Sequence, residues 1–257
     1  MLTIEEFGAD LIRTQDLDPV YCALVRTPWD QAQRCRFLVA YWCFYHCGTA
    51  AALSELEGPA LWAHALANLK TWPRARERRH FRGADAELSV RQLMARYETP
   101  EEMVQYIAGK GGTAHQVVNR AASHYLFGPW IGFKIADILE RCLAIPVDFS
   151  GAVDLFTEQP RKAAALCAEE RGVTSRDFIE YLERFFSNTS APPRNDRVVN
   201  LQEVETILCK YKSMLNGHYL VGHDIQEIRQ GLRNCLTYGW EGTAISEFLE
   251  AMPCTIS

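Results

Sequence analysis

The sequence predicts an all-α protein, and three observations carry the prediction: helix-start signals recur, apolar residues fall at helical spacing, and alternating Val/Ile/Thr segments are scarce. Thr3-Ile4-Glu5-Glu6 fits a capping box, in which the threonine and glutamate side chains satisfy each other's free backbone N–H. Asp18-Pro19 fits an N-cap followed by proline at the first helical position, where its missing N–H costs nothing. Phe37, Leu38, Tyr41, Phe44 and Tyr45 then form one apolar helical stripe. Thr99-Pro100-Glu101-Glu102 combines both start devices, and Thr113, Thr174, Asn200 and Thr243 predict further caps. Helices are expected over 113–126 and 133–143, with a tight turn at Gly128-Pro129-Trp130-Ile131-Gly132 between them. Ile207, Leu208, Tyr211 and Leu215 make a later stripe. Roughly ten to twelve short helices follow from these signals.

The 257 residues suffice for one large or two small domains, and 48% are hydrophobic, enough for a sizeable core. The stretch 187–196 (SNTSAPPRND) is the one linker-like segment. It divides an expected body at 1–190 from a C-terminal helical section at 197–257 packed on it. A net charge of −5 argues against a polycation that coats DNA, and leaves room for a local basic patch. The acidic opening lacks the basic start and apolar run of a secretory signal. The longest apolar run, near 37–44, is shorter than the roughly 18–20 residues a membrane span needs, so no membrane association is expected. Nine irregularly spaced cysteines include no CxxC pair; they read as reduced core thiols, and neither a metal site nor a cofactor is expected.

Four stretches carry chemistry. Gly128 and Gly132 permit close backbone approach, and the amides opening the next helix favour an anion such as a phosphate diester. Lys134 beside that dipole end is explained by an anionic partner. Gly128, Trp130, Gly132 and Lys134 are therefore candidate DNA contacts, unless the segment is an ordinary helix corner. Asp148 closes the segment, as a reactive carboxylate or as a cap for a helix near Ser150. The run PRARERRHFR at 73–82 holds five arginines and makes a candidate anion site, for a leaving phosphate or a DNA backbone, because guanidinium forks match phosphate oxygens; the resemblance given below, which covers 77–83, implies Arg78, Arg79, His80 and Arg82 as the phosphate ligands. A solvated charged face is the plain alternative. Further on, Glu205 and Cys209 lie one turn apart, with Lys210 and Lys212 beside them. Glu205 is a candidate general base, and Lys210 or Lys212 a candidate holder of an anion; the resemblance given below implies that these would be an incoming amine's base and the holder of its carboxylate. Tyr45, His46, Cys47 and Cys209 are candidate pocket residues, either cysteine being a candidate nucleophile, which the resemblance given below would direct to a pyrimidine C6. Simple packing explains each of these equally.

Gly128-x-x-x-Gly132-x-Lys134-x-Ala136-Asp137, followed by Val147-Asp148, resembles the helix-hairpin-helix of the DNA glycosylase superfamily. It departs from that pattern in its wider glycine spacing and in a Lys-to-Asp interval of 14 residues. The stretches 37–55, 77–83, 125–150 and 205–224 resemble a branch of that superfamily, the phage α-glutamyl/putrescinyl thymine pyrophosphorylases, or amino acid:DNA transferases. The resemblance implies a glycosylase-like helical bundle with its hairpin at 113–148. It implies that an activated 5-hydroxymethyluracil in double-stranded DNA loses its phosphate or pyrophosphate to the amine of an amino acid, glycine favoured, or of a polyamine. It also implies a phage DNA-base kinase as a possible partner and the cytoplasm of an infected bacterium as the setting. Within it Asp148, Glu205 and Lys210 are the expected catalytic residues, with Trp42, Tyr45, Tyr125 and Trp130 as walls for an extruded base. A base-excision glycosylase and a non-enzymatic DNA-binding helical module are the competing readings.

Overall fold

The computed structural model describes residues 2–237, 240 and 242–254; the remaining residues of the expected 197–257 section lie outside it. The fold is all-α. Its helices are α1 (Ile4–Thr14), α2 (Pro19–Arg26), α3 (Gln31–Phe44), α4 (Cys47–Ser54), α5 (Pro59–Asn68), α6 (Gly83–Arg96), α7 (Pro100–Ala108), α8 (Ala114–Ala122), α9 (Pro129–Leu143), α10 (Glu158–Arg171), α11 (Ser175–Phe185), α12 (Leu201–Leu215), α13 (His223–Thr237) and α14 (Thr243–Ala251). Two short parallel strands, β1 (Gly112–Thr113) and β2 (Val147–Asp148), tie the start of α8 to the end of α9.

The caps form where local chemistry dictates. Thr3, Thr113, Thr174 and Asn200 each accept from a first-turn amide and receive a side chain back. At Thr99 only half the box forms, because the Glu102 carboxylate turns outward to the Glu98 amide. Thr243 is not a cap: Gly242 holds that position, and the Thr243 hydroxyl donates to Glu55.

The expected turn at 128–132 is instead the first turn of α9. Gly128 is its N-cap and Pro129 its first residue, where the fixed φ of the ring suits a helix start. The link from α8 runs over 123–128. Gly132 serves packing: a Cβ there would stand 3.1 Å from Val118 Cγ1, so its absence lets α9 lie close on α8.

Helix α3 is buried continuously from Cys35 to Phe44 and is covered by α4, α7 and α9. Phe37 stacks on Phe248 of α14 at 4.8 Å between ring centroids. Helix α12 packs on α1, α10 and α11, while α13 and α14 close over α4. Two buried charge clusters pin these layers. Arg141 of α9 meets Asp18 at 2.5 Å, Glu203 at 3.2 Å and Asp137 at 3.5 Å. Lys134, one turn above Asp137, pairs with Glu205 of α12 at 3.0 Å.

Asp16 joins the two ends of the chain. It is fully buried, and its carboxylate accepts from the Tyr219 hydroxyl at 2.5 Å, the Gly222 amide at 2.6 Å and the Ile225 amide at 3.1 Å. The amides of Gly222 and Ile225 flank the start of α13, so Asp16 supplies an N-terminal cap from a distant part of the sequence.

Candidate functional site

The corner between α3 and α4 builds one wall of a cavity of about 470 Å³. Helix α3 ends at Tyr45, which takes the left-handed conformation at φ 51° and donates its amide to Tyr41 O at 2.6 Å. That conformation costs an L-residue about 1–2 kcal/mol, and strain of this kind gathers at functional sites. The bend stacks the Tyr45 ring on Tyr41, with centroids 4.5 Å apart and planes at 26°, and sets it edge-on to Trp130 at 5.0 Å. It also makes His46 the N-cap of α4, with Nδ1 accepting from the Thr49 amide at 3.1 Å. Burial drives the His46 pKa down to about 4, so the ring is neutral at pH 7.

Other elements complete the cavity. The start of α2 brings Asp18, Pro19 and Tyr21, the segment before α6 brings Arg74, Arg76 and Glu77, and α13 brings Asp224, Glu227 and Gly231. Tyr21 donates its hydroxyl to the buried Asp137 at 2.9 Å, which fixes the ring on the cavity floor. Asp18 is held by Arg141, and Asp224 is held by the Lys210 ammonium at 2.6 Å. Four carboxylates and the exposed Arg76 thus face a tyrosine-lined space. Such a space is within the size range of small-molecule sites. His223, Asp224 and Glu227 bring ligand atoms within 4.8 Å of one another, and the Lys210 ammonium already occupies one of these carboxylates.

The expected site residues are distributed unevenly around this cavity. Tyr45, His46 and Cys47 line it. The Cys47 thiol is buried and its pKa pushed up, and Cys209 is pushed up to about 12, so neither offers the thiolate that addition to a base requires. Glu205 is buried against Lys134 and Thr206, away from any position to touch an incoming amine. Its partner Lys134 lies in the second turn of α9 and directs its ammonium inward, so it is not a surface contact for a duplex. Lys210 donates to Asp16 O and to the Tyr219 hydroxyl as well as to Asp224, and so acts as a brace. Among the described residues Lys212 donates only to Asn216.

Arg78 is buried, not phosphate-facing. Its guanidinium lies between the Phe81 and Phe127 rings and donates to Cys43 O at 3.2 Å and Leu126 O at 2.9 Å. It clamps the carbonyl end of α3 to the link before α9 because both leave acceptors free there. Arg79, His80 and Arg82 are exposed beside it, outside the cavity lining. Gly128 is exposed and Trp130 half-buried at the start of α9. Asp148 is exposed on β2, where it accepts from the Ser150 amide at 2.8 Å and hydroxyl at 2.5 Å; these bonds hold its pKa down. It lines a separate shallow depression with Gly112, Thr113 and Glu140, so the arginines and this carboxylate are not brought into one cavity.

Two features escaped the sequence reading. The first is the contribution of Asp18, Arg76 and α13, which no local signal joins. The second is the turn Gly109-Lys110-Gly111-Gly112 between α7 and α8, whose three glycines all have positive φ. Gly111 must be glycine, since a Cβ would strike Pro146 O at 2.2 Å. Three glycines in four residues just before the Thr113 capping box were the available signal.

A family profile described as amino acid:DNA transferase matches residues 12–219. The glycinyltransferase of Pseudomonas phage PaMx11 is 43% identical over 284 residues, covering 98% of this chain and 96% of that protein. The putrescinyltransferase of Delftia phage PhiW-14 is 28% identical over 242 residues, covering 88% of this chain and 76% of that protein.

Proposed function

The chain belongs to the amino acid:DNA transferase family, and from that premise we propose that it hypermodifies a DNA base in the cavity between α3, α4 and α13. The target is a 5-hydroxymethyluracil already esterified with phosphate or pyrophosphate, and the donor is glycine, the amino acid named in the PaMx11 relative. The observation that carries this reading is the meeting of stacked tyrosines, an exposed arginine and several carboxylates in one space of base-plus-amine size.

The chemistry follows from those groups. The base leaves the stack and lies against Tyr41 and Tyr45, which offsets the few kcal/mol of unstacking. A glycine ammonium gives a proton to Asp18, which is pre-set by Arg141, and becomes a free amine. The amine lone pair forms the C–N bond at the C5 methylene as the C–O bond breaks. The electron pair departs on the phosphate oxygen, whose charge Arg76 meets. The proton on Asp18 then passes to the released phosphate. Asp224 and Glu227 on the opposite wall repel a donor that carries a second anion near them.

Duplex contacts fall to the exposed Arg79 and Arg82 and to the Gly109–Gly112 turn, with Lys110 exposed and the amides of α8 behind it. Asp148 belongs to that rim. The expected body at 1–190 and section at 197–257 both contribute lining residues, so transfer needs both. A DNA-base kinase supplies the activated ester, and the host cytoplasm is the setting.

The test is incubation with DNA carrying phosphorylated 5-hydroxymethyluracil and an equimolar pool of glycine, glutamate and putrescine, followed by nucleoside mass analysis. A glycine adduct with release of phosphate is expected. Abasic sites would instead establish a glycosylase, and DNA retention with an unchanged nucleoside would establish a binding module.

A further inference from the structure

We propose that His46 donates its Nε2–H to a carbonyl oxygen of the target pyrimidine, as the residue that orients the base in the cavity. The proposal rests on the functional reading above and deepens it.

The argument starts from the other ring nitrogen. His46 caps α4, and its Nδ1 lies 3.1 Å from the Thr49 amide. A backbone amide only donates, so Nδ1 must present its lone pair. The Thr49 hydroxyl is also 3.1 Å from Nδ1, but its own proton goes to Pro73 O at 2.8 Å, so it makes no competing demand. The single ring proton of a neutral imidazole is therefore on Nε2. Burial keeps the ring neutral, which rules out the doubly protonated form at pH 7. The helix cap thus selects the tautomer that makes Nε2 a donor.

The second half concerns where that donor looks. His46 lines the cavity, and among the described residues Nε2 meets no hydrogen-bond partner. The opposing helix carries Gly231, where a Cβ would lie 3.8 Å from Nε2. With no side chain there, the approach to Nε2 stays open from the α13 side. A base stacked against the Tyr41 and Tyr45 wall presents its edge, not its face, to groups beside that wall. The edge of a uracil offers carbonyl acceptors, and a neutral N–H suits a neutral carbonyl. The anionic ester is better served by guanidinium, which Arg76 provides.

The test separates the two ring nitrogens. His46→Asn keeps a cap acceptor at the Nδ1 position and removes the outer donor. His46→Gln reaches further and replaces the outer donor with an amide N–H. With phosphorylated 5-hydroxymethyluracil DNA and glycine, the Asn variant should raise KM for DNA about tenfold, as loss of one oriented hydrogen bond predicts, with its thermal midpoint little changed. The Gln variant should recover a substantial part of that loss. Gly231→Ala is the independent check, because it covers Nε2 without altering His46 and should raise KM in the same direction. Binding of DNA bearing unphosphorylated 5-hydroxymethyluracil should weaken in parallel. A wild-type KM in the Asn variant would reduce His46 to a cap and overturn the proposal. A loss confined to phosphorylated DNA would assign the bond to the ester and overturn it equally. Absence of transfer by the wild-type protein would instead sink the functional reading beneath.

Discussion

Replacing Asp16 with Ala removes a single carboxylate on which the far wall of the cavity hangs. The amides of Gly222 and Ile225 lose their carboxylate acceptor, and the Tyr219 hydroxyl is left with only the Asp16 backbone oxygen at 3.4 Å. Asp16 is fully buried, so solvent does not replace it without rearrangement. Each buried donor left unpaired costs about 1–3 kcal/mol, and a lost helix cap alone about 0.5–2 kcal/mol. Some water will enter the vacated space, which brings the sum to about 3–5 kcal/mol. At about 2–4 °C per kcal/mol for a chain of this size, the thermal midpoint should fall by about 10 °C. Asp224 and Glu227 ride on the helix so released, so the preference for glycine over glutamate should narrow at temperatures where the variant is still folded. Differential scanning calorimetry and steady-state kinetics at 20 °C measure the two effects. A midpoint within about 2 °C of wild type would show that α13 is held by its packing on α4 and not by Asp16, and the reasoning would fail.

Arg76→Ala should lower kcat for phosphorylated DNA by about 10²-fold, the usual scale for losing one charge-stabilising donor, and an unchanged kcat would take Arg76 off the leaving group. Lys134→Met leaves Glu205 buried without its partner and should destabilise by about 3–5 kcal/mol in urea; adding Glu205→Leu should restore most of it, and a failure of the double variant to recover would mean Lys134 serves something else. Burial raises the Asp137 pKa to about 7, with Asp18 and Glu203 around the shared Arg141 adding to it and Arg141 itself opposing it. A raised carboxyl pKa gives stability that is present below about pH 4 and lost as pH climbs to about 7; the slope is at most about 1.4 kcal/mol per pH unit. Asp137→Asn should flatten that decline in urea titrations between pH 5 and 8, and an unaltered slope would place the titration elsewhere. Asp148→Asn should keep transfer within about threefold, because the carboxylate faces solvent outside the cavity; abolished transfer with intact DNA binding would return Asp148 to the chemistry.

Local signals were legible and long-range ones were not. The capping boxes at Thr3, Thr113, Thr174 and Asn200 involve partners only three residues away, and all four form. The same rule that placed Asp18-Pro19 also applied to Gly128-Pro129, but the flanking glycines read as a turn, and α9 was started four residues late. Arginine density near position 78 pointed to anions, yet a guanidinium can equally satisfy free helix carbonyls, and only packing decides between the two. The tyrosine–histidine–cysteine corner at 45–47 was found because it is contiguous in sequence. Asp18, Arg76 and Asp224 could not be grouped with it, since what joins them is the course of the whole chain. Lys134 and Glu205 were each singled out, but the ion pair that turns both inward spans 71 positions.

The link from Asp16 to Gly222 spans 206 positions, and it has a consequence for biosynthesis. During translation the aromatic corner at 45–47 leaves the ribosome well before the helix that roofs it, which begins only at His223. Until then the ribosome-bound polypeptide carries an open trough whose acid at position 16 waits without its amides. Ring closure over so long a span is entropically slow to nucleate, though only a little dearer than over half that length. The cavity is therefore expected to acquire its working shape abruptly, once the segment from Gly222 to the end of α13 has emerged and met Asp16.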